Sequence, residues 1–255
     1  MLVLDFPSAK DWKRIYKESL CSSFFAQLRP LFESFEFSSS IMNLPRKIEI
    51  GELISQLYYK ETDVVKSFIF LRYYFDKGIP DDEWYKSPGK DGRSIQYFPN
   101  FEKKHFVTKD WFDYYSDTFY HKFFSAWDTI GHVLNIYFGL GMKPNRVYFP
   151  DVVSELKKTE IDLGEKLDGI LHSPVYQKAK TLRNDVTHNY LPGSVGFAVT
   201  TKRDENSMTT NVGVRKYVTS KEIMDNAIEI LGLFQKSISA ITERRTPNSD
   251  KDVSA

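Results

Sequence analysis

Along this chain apolar positions recur at three- and four-residue spacing over long stretches, which predicts a helical protein. The first run spans Ser8 to about Phe37 through Trp12, Ile15, Tyr16, Leu20, Phe24 and Leu28, with Pro30 marking a break or kink, and reads as a helix and a shorter follower. Ser38 to Pro45 reads as a connector. A second run, Ile50 to Asp76, carries Leu53, Ile54, Leu57, Val64, Val65, Phe68, Ile69 and Phe75 and is stopped by Gly78 and Pro80. Residues 78–107 hold Pro80-Asp81-Asp82, Pro88-Gly89, Asp91-Gly92 and Pro99-Asn100 with no sustained period, so a long surface loop is expected there. Thr108 is expected to cap the longest helix, with Asp110 in its first turn, running to about Leu140 and ended by Gly139, Gly141 and Pro144.

Two short helices follow, from Pro150-Asp151 to about Lys158 and from Asp162 to Leu171. Ser173-Pro174 supplies an N-cap with proline at the first helical position, and Pro192-Gly193 closes that helix. Val195 to Val218 alternates around Asp204-Glu205-Asn206-Ser207, the pattern of a β-hairpin. Thr219 and Glu222 form a capping box before a last amphipathic helix through Ile223, Ala227, Ile230, Leu231 and Phe234. The expected architecture is all-α: an antiparallel helical bundle with a β-hairpin inserted before the last helix. Residues 1–107 would form a helical N-terminal region and 108–244 the bundle, the two able to make one compact domain. Residues 245–255 are polar without a period, and disorder is expected there.

Composition narrows the classes. At 41% hydrophobic and 27% charged, the 255 residues are ordinary for a globular protein able to bury a core. Thirty-five Lys plus Arg against 34 Asp plus Glu give no global positive field, so any site for a polyanion must be a local patch. The single cysteine, Cys21, excludes a disulfide framework and a CxxC motif, and its apolar neighbours Phe24 and Phe25 read it as a buried small hydrophobe. A reducing, cytoplasmic location is therefore expected. Met1 to Asp11 lacks a basic leader, and the most apolar stretch, Phe119 to Leu140, is interrupted by His121, Lys122, Asp128 and His132, so neither a signal peptide nor a membrane span is expected. The tyrosine pairs 58–59, 73–74 and 114–115 read as core at helical spacing and receive no role.

Chemistry concentrates at the end of the helix opened by Pro174. Arg183, Asn184, His188 and Tyr190 fall within eight residues: a permanent cation, an amide, an imidazole and a phenol. Arg183 and His188 are five apart, about 140° of rotation on an ideal helix, so they converge only where the helix frays or where two copies of it meet. An imidazole near the negative end of a helix suits a general acid or base, and a guanidinium suits a phosphodiester. On the longest helix Asp117/His121 and Asp128/His132 form i, i+4 pairs along one stripe. They read either as solvated pairs or core histidine, or as a stripe facing the motif helix that lends Asp128 or His132 to its cleft. His121 and His132 would lie roughly 16 Å apart along the axis, too far for a shared metal. Lys202, Arg203, Arg215 and Lys216 on the hairpin either grip a phosphate backbone or protect an exposed edge.

Arg183-Asn184-Asp185-Val186-Thr187-His188 resembles the R-x4-6-H motif of the HEPN superfamily, in which a polar residue follows the arginine, and the helical surroundings are similar to its bundles. With Tyr190 the stretch is similar to the R-x4-H-x-Y form of HEPN toxins paired with a small nucleotidyltransferase antitoxin. The chain as a whole resembles the larger stand-alone bacterial HEPN proteins. The resemblance implies metal-independent endoribonuclease activity in a toxin or phage-defence setting. It also implies no cofactor, an RNA substrate, a homodimer through the motif-bearing helix and, for that form, a nucleotidyltransferase-type antitoxin partner. Arg183, His188 and Asn184 would be catalytic, with Tyr190, Asp128, His132, Lys202 and Arg203 supporting or binding substrate. Silent members of the superfamily imply the alternative, a module that holds RNA, a nucleotide or a protein without chemistry.

Overall fold

The structure, a computed structural model, describes residues 5–35, 37, 43–92, 94–188, 191–204 and 207–244; the side chains at 188, 198 and 200 are outside that description. Residues 38–42 of the expected connector, the tail at 245–255 and Tyr190 therefore lie outside the described residues. Eight α-helices and two small antiparallel sheets are found among the described residues. None of the helices is long and apolar enough to cross a membrane.

The N-terminal run forms α1 (Ala9–Glu18) and α2 (Cys21–Glu33), so the break falls at Ser19-Leu20 and not at Pro30, which sits inside α2. Serine hydroxyls explain the shift. Ser19 donates to the Tyr16 carbonyl and Ser23 to that of Leu20, competing with the helix at the joint. α3 (Leu44–Asp76) begins earlier than the apolar period suggests, with Pro45 in its first turn.

The stretch 78–107 carries order that turn signals alone did not reveal. Strands β1 (Tyr85–Lys86) and β2 (Gln96–Tyr97) pair antiparallel, too short to show alternation. α4 (Lys103–Phe138) starts five residues before the expected cap. Glu102 is its N-cap, its N–H donating to His105 Nδ1 at 3.0 Å, whereas Thr108 lies within the helix and donates to the Lys104 carbonyl. Gly139 ends α4 in the left-handed region, φ 64°.

α5 (Phe149–Thr159), α6 (Ile161–Leu171), α7 (Pro174–His188) and α8 (Ser220–Thr242) follow the periodic pattern closely. Ser173 Oγ accepts from the Tyr176 N–H, and Thr219 and Glu222 form their capping box. Between α7 and α8 the long hairpin pairs β3 (Phe197–Asp204) with β4 (Ser207–Val214), from Phe197↔Val214 to Asp204↔Ser207.

α3 and α4 pack along each other through Phe68–Phe119, Phe70–Tyr115 and Phe75–Phe112. Trp127 of α4 lies at the centre, its ring against Phe123, Phe149, Tyr176 and Phe234, which joins α4, α5, α7 and α8 in one core. Cys21 is buried in that core, and burial pushes its thiol up to about 11. The core reading holds for Tyr73 and Tyr74 but not for Tyr58, Tyr59 and Tyr114, which are exposed. Consecutive helical residues are about 100° apart, so a core seam does not take both members of every pair.

Candidate functional site

The motif helix is held by polar as well as apolar contacts. Tyr176, Ala179 and Leu182 form its buried seam. At its start Asn226 of α8 donates to the Val175 carbonyl at 2.9 Å while accepting from the Tyr120 hydroxyl of α4, also at 2.9 Å. These buried bonds fix α7 against both neighbours. The turn after it is seated as firmly. A Cβ on Gly193 would lie 2.5 Å from Lys109 Nζ and 2.8 Å from Asp113 Oδ1, so the chain passes close over that ion pair. Desolvation raises the Asp113 carboxyl to about 6 despite the adjacent lysine.

Arg183 follows Leu182 on the seam and turns toward α4. Its guanidinium carbon lies 5.8 Å from the Phe124 ring centroid, and Nη1 donates to Asn184 Oδ1 at 3.1 Å. Nε is buried and finds no hydrogen-bond partner among the described residues. Arg183 and Asn184 thus come together, the amide oxygen accepting from one edge of the fork. Asp128 faces the same arginine electrostatically. Burial raises its carboxyl, while a hydrogen bond from the Phe149 N–H at 3.0 Å and then the charge of Arg183 pull it back. Asp128 therefore also anchors the first turn of α5.

The stripe on α4 does face the motif helix, through His121. His121 Nε2 lies 3.1 Å from Thr187 Oγ1 and 3.2 Å from Asp117 Oδ1. Thr187 donates its hydroxyl proton to the Arg183 carbonyl at 2.7 Å, so the imidazole N–H is the donor toward α7. Thr187 carried no sequence signal, because a threonine in a helix usually bonds its own backbone. His132 goes elsewhere. It lines a separate cavity with Glu49, Glu52 and Gln56 of α3, and burial lowers its pKa against the opposing pull of Asp128.

Backbone geometry fixes the relation of Arg183 to His188. α7 remains helical through His188, so the two positions stay about 140° apart and fraying within the described helix does not join them. The His188 side chain and Tyr190 lie outside the described residues. Lys202 and Arg203 are exposed toward the far end of β3, roughly 20 Å along the strand from the Gly196 end of the hairpin. The cations near α7 are instead Lys178 of the helix itself and Arg215 and Lys216 just beyond β4. Among the described residues, no three His, Cys, Asp or Glu are grouped to hold a metal ion.

An all-helical bundle whose penultimate helix ends in Arg-Asn-x3-His, with the arginine held between two helices, defines a HEPN-type protein. The chain belongs to the HEPN_Cthe2314-like HEPN family, which matches residues 53–244 and so includes most of α3 as well as the motif helix. No curated protein and no solved structure matches it.

Proposed function

We propose that this protein cleaves RNA by internal transesterification, with Arg183 and His188 as its catalytic residues. The RNA 2′-oxygen attacks the adjacent phosphorus, the bond from phosphorus to the 5′-oxygen breaks, and the products are a 2′,3′-cyclic phosphate and a 5′-hydroxyl. His188 takes the proton of the 2′-hydroxyl or returns one to the leaving oxygen, and Arg183 offers its donors to the charge that develops on the phosphoryl oxygens. Asn184 orients the guanidinium, and the family resemblance gives Tyr190 a role in supporting the substrate. Asp128 supports Arg183 through its field. The observation that carries this reading is Arg183 itself: a half-buried guanidinium with a buried, unpartnered Nε, steered by Asn184 on the helix that bears the family's motif.

Because Arg183 and position 188 diverge on a continuous helix, the working unit is a homodimer in which two copies of α7 meet and pair the arginine of one with the histidine of the other. The same divergence favours the second reading for an isolated chain, a silent module that binds RNA. A toxin or defence role and a nucleotidyltransferase-type antitoxin accompany the proposal through the family resemblance, and a cytoplasmic setting through the single cysteine.

The test is cleavage of a mixed single-stranded and structured RNA pool in EDTA by wild type, His188→Ala and Arg183→Ala at matched folding. Wild type is expected to leave 2′,3′-cyclic phosphate ends, and each variant to lose about 10²–10⁴ in rate. Full activity in His188→Ala sinks the mechanism, and RNA binding without cleavage by any of the three establishes the silent module.

A further inference from the structure

A cavity of about 480 Å³ lies on the flank of α7 away from Arg183. Its walls are α7 from Lys178 to Asp185, the turn at Leu191 to Ser194, the segment just beyond β4 and the first turn of α8. That volume is within the roughly 300–1,000 Å³ typical of small-molecule sites. Leu182, Pro192 and Val218 give it apolar surface, and Lys178, Arg215 and Lys216 bring three cations to it against the carboxylates of Asp185 and Glu222.

Two backbone bonds close the wall, Val218 N–H to the Pro192 carbonyl at 3.0 Å and Arg215 N–H to the Gly196 carbonyl at 2.8 Å. The second bond seats Arg215 over a glycine. A Cβ on residue 196 would come within 1.8 Å of Arg215 Nη2 and 2.6 Å of Cζ, so the guanidinium occupies the space that any side chain at 196 would fill. Glu222 is committed elsewhere, one oxygen capping α8 at the Thr219 N–H and the other 3.8 Å from Lys178 Nζ.

We infer that this cavity is a binding site for a nucleoside phosphate, with Arg215 as the residue that grips its phosphate. A guanidinium presents a planar fork that matches a phosphate in two hydrogen bonds, and a neighbouring ammonium adds charge without competing for that geometry. The apolar wall of Leu182, Pro192 and Val218 accepts the face of a base. Helix position 188 follows Asp185 by three residues and Thr181 by seven, so its Cα lies on the flank that bears the cavity. A nucleotide held here sits within about a turn of the histidine position. On the RNA-cleavage reading, on which the identity of the polymer rests, it is one residue of the substrate strand.

Equilibrium binding of two probes tests the site: adenosine 5′-monophosphate, and a short 2′-O-methyl oligoribonucleotide that lacks the attacking hydroxyl. Binding is then read whether or not the protein turns RNA over, and failure of binding with cleavage intact sinks the cavity and not the mechanism. The variants are Arg215→Ala; Gly196→Ala, which displaces the guanidinium without changing charge; and Lys17→Ala, which removes an equal charge from the exposed face of α1. Arg215→Ala is expected to weaken binding about tenfold or more, Gly196→Ala severalfold, and Lys17→Ala less than twofold. The oligonucleotide binding much more tightly than the mononucleotide assigns the cavity to the RNA strand, and comparable affinities assign it to a free nucleotide. Wild-type affinity in both Arg215→Ala and Gly196→Ala, equal weakening by Lys17→Ala, or no binding of either probe overturns the inference.

Discussion

Glu61 shows how one residue can set the pH response of the whole fold. It is fully buried in α3 among Leu57, Val64, Val65 and Phe68, and neither carboxylate oxygen has a hydrogen-bond partner among the described residues. Burial alone raises its pKa from 4.5 to about 8. Between those values the folded chain holds a proton that the unfolded chain has released, so stability falls as pH rises. The contribution is intact below about pH 4.5 and is lost once pH passes 8. The melting temperature is therefore expected to decline between pH 5 and 8. Glu61→Met, which keeps the volume and removes the charge, is expected to flatten that decline and to gain several kcal/mol at pH 8. Superimposable pH–melting curves for the two proteins would refute it. Cys21 and Tyr120, also fully buried, lie in the same core without this liability, because both are neutral across that range.

At the scale of elements, the chain before α4 is tied to the site-bearing end of the bundle by one carboxylate. Asp81 Oδ2 accepts from the Tyr217 hydroxyl at 2.7 Å and from the Ser220 N–H and hydroxyl at 2.8 Å each, fastening the stretch after α3 to the start of α8. Asp81→Ala leaves those buried donors unpaired and is expected to cost about 2–4 kcal/mol in urea unfolding, with Asp81→Asn recovering part of it. An unchanged midpoint in Asp81→Ala would show that the contact does not stabilise the fold. Little of this was legible beforehand. Apolar spacing gave α3 and α5 to α8 because each buries a continuous face, and Thr219 with Glu222 marked a start because the capping box is a local bond pattern. Residues 78–107 read as loop because two-residue strands have no period and Asp81 meets Ser220 only through tertiary structure. The same limit applies to the site. Arg183 and Asn184 are adjacent and were visible, whereas His121 meeting Thr187 depends on packing between helices distant in sequence, and Arg215 seated over Gly196 depends on a side-chain conformation at the base of the hairpin.

At the scale of the whole molecule, the geometry of α7 sets the stoichiometry that catalysis would need. Trp127 and its neighbours make one core from helices on both sides of the motif, so α7 is embedded along its apolar seam. On the proposed mechanism a second copy of α7 would complete the motif from the helix's remaining face. If one protomer's Arg183 works with the other's His188, each single variant spoils every site in its own homodimer for a different reason. In a heterodimer of Arg183→Ala with His188→Ala, the first chain keeps its histidine and the second its arginine, so one composite site is whole. Mixing the two inactive proteins under conditions that allow subunit exchange is expected to restore about a quarter of wild-type activity, half of the dimers being mixed and each carrying one intact site of two. Sites built within single chains would give no recovery at any mixing ratio, since every chain would then lack one of its two groups. The recovered activity should also rise with total protein concentration while RNA is held in excess, because dimers form by mass action. Recovery that does not depend on concentration would separate complementation from the dimer proposed to produce it.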